Sequence, residues 1–64
     1  MPRLTHREKQ VIQLLSEGKT SLQIGKELSV SALTIDTHRR NLMQKFAAKN
    51  TAELIKTAML HRFI

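Results

Sequence analysis

The apolar residues of this 64-residue chain recur at intervals of three and four positions and do not alternate with polar residues for long. Such spacing places apolar side chains on one face of an α-helix, whereas alternation would indicate a strand. The pattern therefore predicts an all-α chain that folds as a compact four-helix domain. The expected helices span about residues 6–17, 22–28, 32–46 and 51–62.

Helix-capping residues support these boundaries. Side chains that can accept a hydrogen bond from the first free amides of a helix stand before each predicted helix: Thr5, Ser21, Ser31 and Asn50. Glu8 and Glu53 each follow a cap by three residues, which predicts a capping box at both positions. Gly18 is expected to end the first helix in a left-handed conformation.

The second and third helices, from Ser21 to Arg40, have the lengths and the short connection of a helix-turn-helix. Gly25 is predicted to lie where the two helices cross most closely, because a glycine inside a helix otherwise costs about 1 kcal/mol. The inward stripe of the third helix is expected to contain Ile35, His38, Leu42 and Phe46.

The opposite side of the third helix, called here the outer face, consists of Leu33, Asp36, Thr37, Arg40, Asn41 and Gln44. Its hydrogen-bond donors, acceptors and methyl groups suit the base edges of a DNA major groove, although a solvated helix face would have a similar composition. We predict base contacts from Asp36, Thr37 and Arg40. Phosphate contacts are predicted for Ser21, Ser31, Thr34, Arg39, Lys45 and Lys49.

The charge balance favours DNA over solvent for this face. Eleven lysine and arginine residues against five acidic residues give a net charge of +6, which suits an anionic partner. The chain has no cysteine, and His6, His38 and His61 lack the spacing of metal ligands, so no metal site is predicted. No glycine-rich phosphate loop or nucleophile elbow is present, so neither an enzyme nor a cofactor is expected. No apolar run approaches the roughly 18 residues of a membrane span, and no membrane partner is predicted.

From Leu4 to about Leu60 the sequence resembles the LuxR-type helix-turn-helix domain. The resemblance is carried by Leu4-Thr5-x-Arg7-Glu8, Val11-Ile12-x-Leu14-Leu15-x-Glu17-Gly18, Ile24 and Leu28, Ser31-x-x-Thr34-Ile35-x-x-His38-Arg39-Arg40-Asn41-Leu42, Lys45-Phe46 and Lys49-Asn50. It implies a DNA-binding module at the C-terminus of a bacterial transcription regulator, often a response regulator. It also implies that the third helix enters the major groove and that the fourth can mediate dimerisation.

The sequence departs from the family pattern at four places. His6 replaces a usual proline, and Gly25 stands where alanine is common. Ala47-Ala48 replaces a frequent Gly-Val, so the turn between the third and fourth helices is expected to differ. Asp36 replaces a basic or polar residue; its carboxylate repels phosphate but can accept from the amino group of cytosine.

The fourth helix carries more apolar surface than one core face requires. Leu54 and Ala58 are expected to pack inward, with Ile55 and Met59 beside them. This stripe either completes the core of a small domain or forms a two-fold dimer contact, for which Ile55 and Met59 are the candidate residues.

The leading hypothesis is therefore a single cytoplasmic domain, residues 1–64, which binds double-stranded DNA sequence-specifically as the C-terminal part of a larger regulator. RNA polymerase is a further candidate partner. Two alternatives remain open at this point: a promoter-binding domain like region four of a sigma factor, and a basic helical module that binds an acidic protein.

Overall fold

Four helices make up the computed structural model, which describes residues 3–64: α1 (His6–Ser16), α2 (Ser21–Leu28), α3 (Ala32–Lys45) and α4 (Thr51–Leu60). No strand occurs within that range, and the predicted all-α, four-helix class is confirmed. Four of the eight predicted bounds agree with these, three differ by one residue, and the end of α4 differs by two, at residue 60 rather than 62. The first two residues of the predicted domain lie outside the described residues.

The N-termini of the helices are capped by side chains, with one correction to the prediction. Thr20, and not Ser21, caps α2: its hydroxyl accepts from the amide of Gln23 at 3.2 Å. The Gln23 side chain accepts in return from the Thr20 amide at 2.9 Å. Gln23 therefore completes a capping box one residue earlier than expected, and Ser21 becomes the first residue of the helix.

The caps of the other helices were predicted correctly, but one of the two predicted capping boxes is incomplete. Thr5 and Glu8 form both reciprocal hydrogen bonds at the start of α1. Asn50 accepts from the Glu53 amide at 2.8 Å, but the Glu53 carboxylate accepts from the amide of Lys49 rather than from that of Asn50. The extended backbone of Asn50, with φ −156°, accompanies this exchange of donors.

Every helix is followed by a residue with positive φ: Gly18, Ser29, Ala47 and Arg62. Gly18, at φ +85°, ends α1 as predicted. Ala47, at the position where the family pattern has glycine, adopts φ +52°, the left-handed conformation that favours glycine. A left-handed conformation costs an alanine about 1–2 kcal/mol that glycine does not pay.

The core lies between all four helices. Its fully buried side chains are Val11, Ile12, Ile24, Ile35, Leu42, Leu54 and Ala58. Phe46 closes one end, with its ring in an edge-to-face arrangement at 5.6 Å from that of Phe63. The predicted inward stripe of α3 is confirmed: Ile35, Leu42 and Phe46 are buried, and His38 is half-buried. Because this stripe is buried, the orientation of α3 is fixed by the core.

Gly25 is buried at the closest approach of α2 to the turn before α3. A Cβ atom at this residue would lie 2.6 Å from the carbonyl oxygen of Val30 and 3.3 Å from the amide nitrogen of Ala32. Both neighbours are backbone atoms, which cannot rotate away as a side chain would. The predicted close approach at this glycine is confirmed, and its neighbours are the α2–α3 turn and the first residue of α3.

Exchanges between glycine and alanine at two positions should have opposite effects on stability. Gly25→Ala is expected to lower the free energy of unfolding by about 1–3 kcal/mol, because the backbone clash outweighs the helix propensity of alanine. Ala47→Gly is expected to raise it by about 0.5–1 kcal/mol, because glycine relieves the positive φ. Urea unfolding followed by circular dichroism measures both. A Gly25→Ala protein as stable as the parent would contradict the close crossing.

Candidate nucleic-acid interface

The outer face of α3 is open along its whole length. All six of its side chains are exposed, and the three predicted base-contacting residues, Asp36, Thr37 and Arg40, follow one another along adjacent turns. A shallow groove runs beside this face and is lined by Asp36, Arg39, Arg40, Met43, Gln44, Ala47 and Ala48. Burial of Ile35 and Leu42 on the other side of the helix keeps these side chains turned outward.

A chain of hydrogen bonds holds Asp36. The Ser21 hydroxyl donates to Oδ1 of Asp36 at 2.5 Å, and Nη1 of Arg39 donates to Oγ of Ser21 at 2.8 Å. The second guanidinium nitrogen, Nη2, donates to Oγ1 of Thr51 at 2.7 Å. Arg39 thus joins the first residues of α2 and α4 to the middle of α3. The sequence predicted phosphate contacts for Ser21 and Arg39 and gave no sign of this network.

Thr37 is engaged with its own helix. Its hydroxyl donates to the carbonyl oxygen of Leu33 at 3.1 Å, one turn earlier. Because the hydroxyl hydrogen is used in this bond, the groups that Thr37 can offer to a base are its methyl group and an acceptor lone pair.

Three of the predicted phosphate-contacting residues lie at exposed positions near the ends of α3. Ser31 caps α3, where its hydroxyl accepts from the amide of Thr34 at 3.1 Å and lies 3.0 Å from the Thr34 hydroxyl. Free amides and the helix dipole make such an N-terminus favourable for a phosphate group. Lys49 lies beyond the other end of the helix, in the turn before α4, and its ammonium group forms no salt bridge within residues 3–64.

Lys45 lies apart from these residues, against α1. Its Nζ is 2.6 Å from Oε1 of Glu8, whose side chain is only 5% exposed, and 3.1 Å from the carbonyl oxygen of Arg3. Burial acts to raise the pKa of Glu8. The Lys45 ammonium and the hydrogen bonds with Thr5 lower the pKa by more, so that it lies below its usual value. The sequence predicted the capping box of Glu8 but not this ion pair.

The two predicted dimer-contacting residues, Ile55 and Met59, are on α4 and do not line the groove beside the outer face of α3. Ile55 is half-buried and Met59 is 60% exposed; both line a shallow groove with Gln13, Ser16 and Ile64. Leu54 and Ala58 of the same helix are buried, as predicted. The apolar stripe of α4 is therefore wider than its core contact.

Neither a metal site nor a membrane span is visible among the described residues. No group of three histidine or acidic side chains within residues 3–64 is arranged to hold a metal ion. None of the four helices has the length and hydropathy needed to cross a membrane.

A four-helix domain with a tight helix-turn-helix and an open, polar outer face on its third helix is a DNA-binding architecture. The model of the family of bacterial regulatory proteins known as the luxR family (GerE) matches residues 2–58. The chain belongs to this family, as the sequence resemblance implied. LuxR-type domains bind double-stranded DNA, and this chain is a DNA-binding domain of transcription regulation. The family is one of DNA-binding transcription regulators, and membership of it favours a LuxR-type domain over the sigma-factor region and the protein-binding module considered from the sequence.

Relatives include both response regulators and other transcription factors. The chain is 45% identical over 56 residues to the uncharacterised response regulatory protein YgeK of Escherichia coli, a match that covers 88% of this chain and 38% of YgeK. The Vibrio cholerae VqmA protein, solved as a complex with a ligand and DNA, is 33% identical with a TM-score of 0.90 over 95% of this chain and 27% of VqmA. The response regulator ChrA, of a haem-sensing two-component system, is 29% identical with a TM-score of 0.91 over 100% of this chain and 33% of ChrA. The chain thus spans about a third of the length of these relatives.

The Glu8–Lys45 pair should make stability depend on pH. The lowered pKa of Glu8 means that its charged form stabilises the folded state above about pH 4.5, and that this contribution disappears as the pH falls through the folded-state pKa. Glu8→Gln is expected to lose about 1–3 kcal/mol of unfolding free energy at neutral pH. The difference from the parent should shrink as the pH is lowered to about 3. Thermal unfolding at a series of pH values measures this difference.

Glu17→Gln is the matched control, because it removes an exposed carboxylate whose ammonium partner, Lys19, is 3.6 Å away. It should change stability by less than about 0.5 kcal/mol. A constant gap between parent and Glu8→Gln at every pH would show that the Glu8 carboxylate is not stabilised in its charged form.

Proposed function

We propose that this domain recognises a specific double-stranded DNA sequence by inserting α3 into the major groove. In this arrangement Arg40 donates to a guanine, Thr37 meets a thymine methyl group and Asp36 accepts from the amino group of cytosine or adenine. The observation that carries the proposal is the outer face itself, which is exposed on a helix whose opposite side is held in the core by Ile35 and Leu42.

The state of each side chain supports a division of roles on this face. The guanidinium group of Arg40 is exposed and forms no hydrogen bond with side chains or backbone of residues 3–64. It is thus available for the two parallel hydrogen bonds that guanine offers through O6 and N7. Asp36 is fixed through Oδ1 by Ser21, which leaves its other oxygen to accept from a base.

The phosphate contacts are proposed to come from both ends of α3. Ser31 and Thr34 present hydroxyl groups at the positive end of the helix dipole, and Lys49 presents its ammonium group near the other end. Ser21, Arg39 and Lys45 are retained as candidates that hold internal hydrogen bonds as well. To contact a phosphate, each of these side chains must either use a donor hydrogen that is not in an internal bond or give up its internal partner for the phosphate.

The larger setting is also a proposal. We infer that the domain is the C-terminal part of a bacterial regulator that works in the cytoplasm, since it spans about a third of several relatives. Two copies are proposed to pair through Ile55 and Met59 of α4, which would place two copies of α3 on successive half-sites. RNA polymerase is the further partner that such a regulator would contact.

Substitutions at Arg40 and Lys49 should separate base recognition from phosphate attraction. Arg40→Ala is expected to remove about 1–3 kcal/mol of discrimination at one base position of each half-site, because the bidentate contact is lost. Lys49→Ala is expected to leave the preferred sequence unchanged, weaken binding to all duplexes and lower the salt slope by about one. Selection from a random duplex pool gives the preference, and binding at several salt concentrations gives the slope.

Both residues are exposed and neither contributes to the core, so each variant should fold as the parent does. Melting curves serve as the control for folding. Arg40→Ala with the parental sequence preference would contradict the proposed orientation of α3, whereas Lys49→Ala with the full salt slope would remove only that phosphate contact.

A further inference from the structure

The most exposed large apolar side chain of the described residues is on the outer face of α3. Leu33 is 78% exposed and lies one turn before Thr37 on the same side of the helix. It contributes nothing to the core cluster, and a single exposed leucine is in itself unremarkable on a protein surface. Its position in line with Thr37 and Arg40 is what gives it significance.

The hydrogen bond between Thr37 and Leu33 defines the chemistry of this end of the outer face. The Thr37 hydroxyl hydrogen is directed to the Leu33 carbonyl oxygen, so neither side chain has a hydrogen-bond donor to offer to a base. Leu33 and Thr37 lie four residues apart and are neighbours on the helix surface. Together they form an apolar strip beside the polar pair Asp36 and Arg40.

In the major groove, the apolar feature that distinguishes one base from the others is the C5-methyl group of thymine. We propose that Leu33 is a specificity-determining residue, which packs against the methyl group of a thymine next to the one contacted by Thr37. This proposal deepens the proposed function, because it depends on α3 lying in the major groove. It predicts that Leu33 and Thr37 of the outer face contact methyl groups of the bases, whereas Asp36 and Arg40 contact hydrogen-bonding groups.

The test removes the methyl group from the DNA and the side chain from the protein in the same experiment. Duplexes chosen from a random pool by the parent protein are resynthesised with uracil in place of each thymine in turn, which deletes only the C5-methyl group. For the parent, replacing the thymine contacted by Leu33 is expected to weaken binding about fourfold, because the burial of one methyl group is lost. Replacing the thymine contacted by Thr37 should weaken binding at a second position. Leu33→Ala should bind the thymine and uracil duplexes equally at that position.

Two variants control for indirect effects. Leu22→Ala removes a leucine that is 59% exposed but belongs to α2 and not to the outer face of α3, and it should keep the full discrimination at every position. Thr37→Ser keeps the hydroxyl but deletes its methyl group, and it should abolish discrimination at a different thymine from that of Leu33→Ala. Melting curves verify that all three variants fold.

The outcomes separate this inference from the function on which it rests. Discrimination between thymine and uracil that is the same in Leu33→Ala as in the parent would overturn the role of Leu33 and leave DNA recognition by α3 intact. Failure of the parent protein to enrich any sequence from the pool would overturn the proposed function, and this inference with it.

Discussion

The close contact between α2 and the turn before α3 is the constraint on which the placement of the outer face depends. Gly25 leaves only 2.6 Å between the position of a missing Cβ atom and the Val30 carbonyl oxygen, so α2 and the start of α3 pack backbone against backbone. This contact fixes where α3 begins, and the burial of Ile35 and Leu42 fixes its rotation about its axis. A displacement at Gly25 would move every side chain of the outer face, although none of them touches this glycine. The placement of the outer face therefore depends in part on a residue that has no side chain.

The four basic residues predicted to contact DNA divide into two groups with different physical roles. Arg39 and Lys45 are bound within the molecule, the first to Ser21 and Thr51 and the second to the buried Glu8. Arg40 and Lys49 remain exposed. Arg39 and Lys45 hold helices together, and their positive charges still add to the electrostatic field that attracts DNA. Arg39 and Arg40 are adjacent in the sequence, but Arg39 is hydrogen-bonded within the molecule and Arg40 is exposed, because successive residues of a helix point about 100° apart.

Much of the fold could be predicted from local sequence, because apolar spacing and capping residues act over three or four positions. The four helices, the stop at Gly18 and the close crossing at Gly25 all follow from such signals. The cap of α2 was misplaced by one residue because Thr20 and Ser21 both have suitable hydroxyl groups, and only the Gln23 partner decides between them. The partners of Lys45 and Arg39 could not be predicted, since Glu8 is 37 residues from Lys45 and Ser21 is 18 residues from Arg39. The residues of the outer face could be predicted because they lie opposite the buried stripe of α3. Which of them contact DNA depends on the DNA sequence as well, and could not be predicted from the chain alone.

Methylation interference tests most directly whether α3 reads the major groove. Dimethyl sulfate modifies guanine at N7, which faces the major groove, and adenine at N3, which faces the minor groove. Duplexes selected by the protein are lightly methylated, and the bound and free fractions are compared base by base. The account predicts that N7 methylation of guanine within each half-site excludes duplexes from the bound fraction, whereas N3 methylation of adenine there does not. Interference at adenine N3 alone would place the protein in the minor groove and contradict the account.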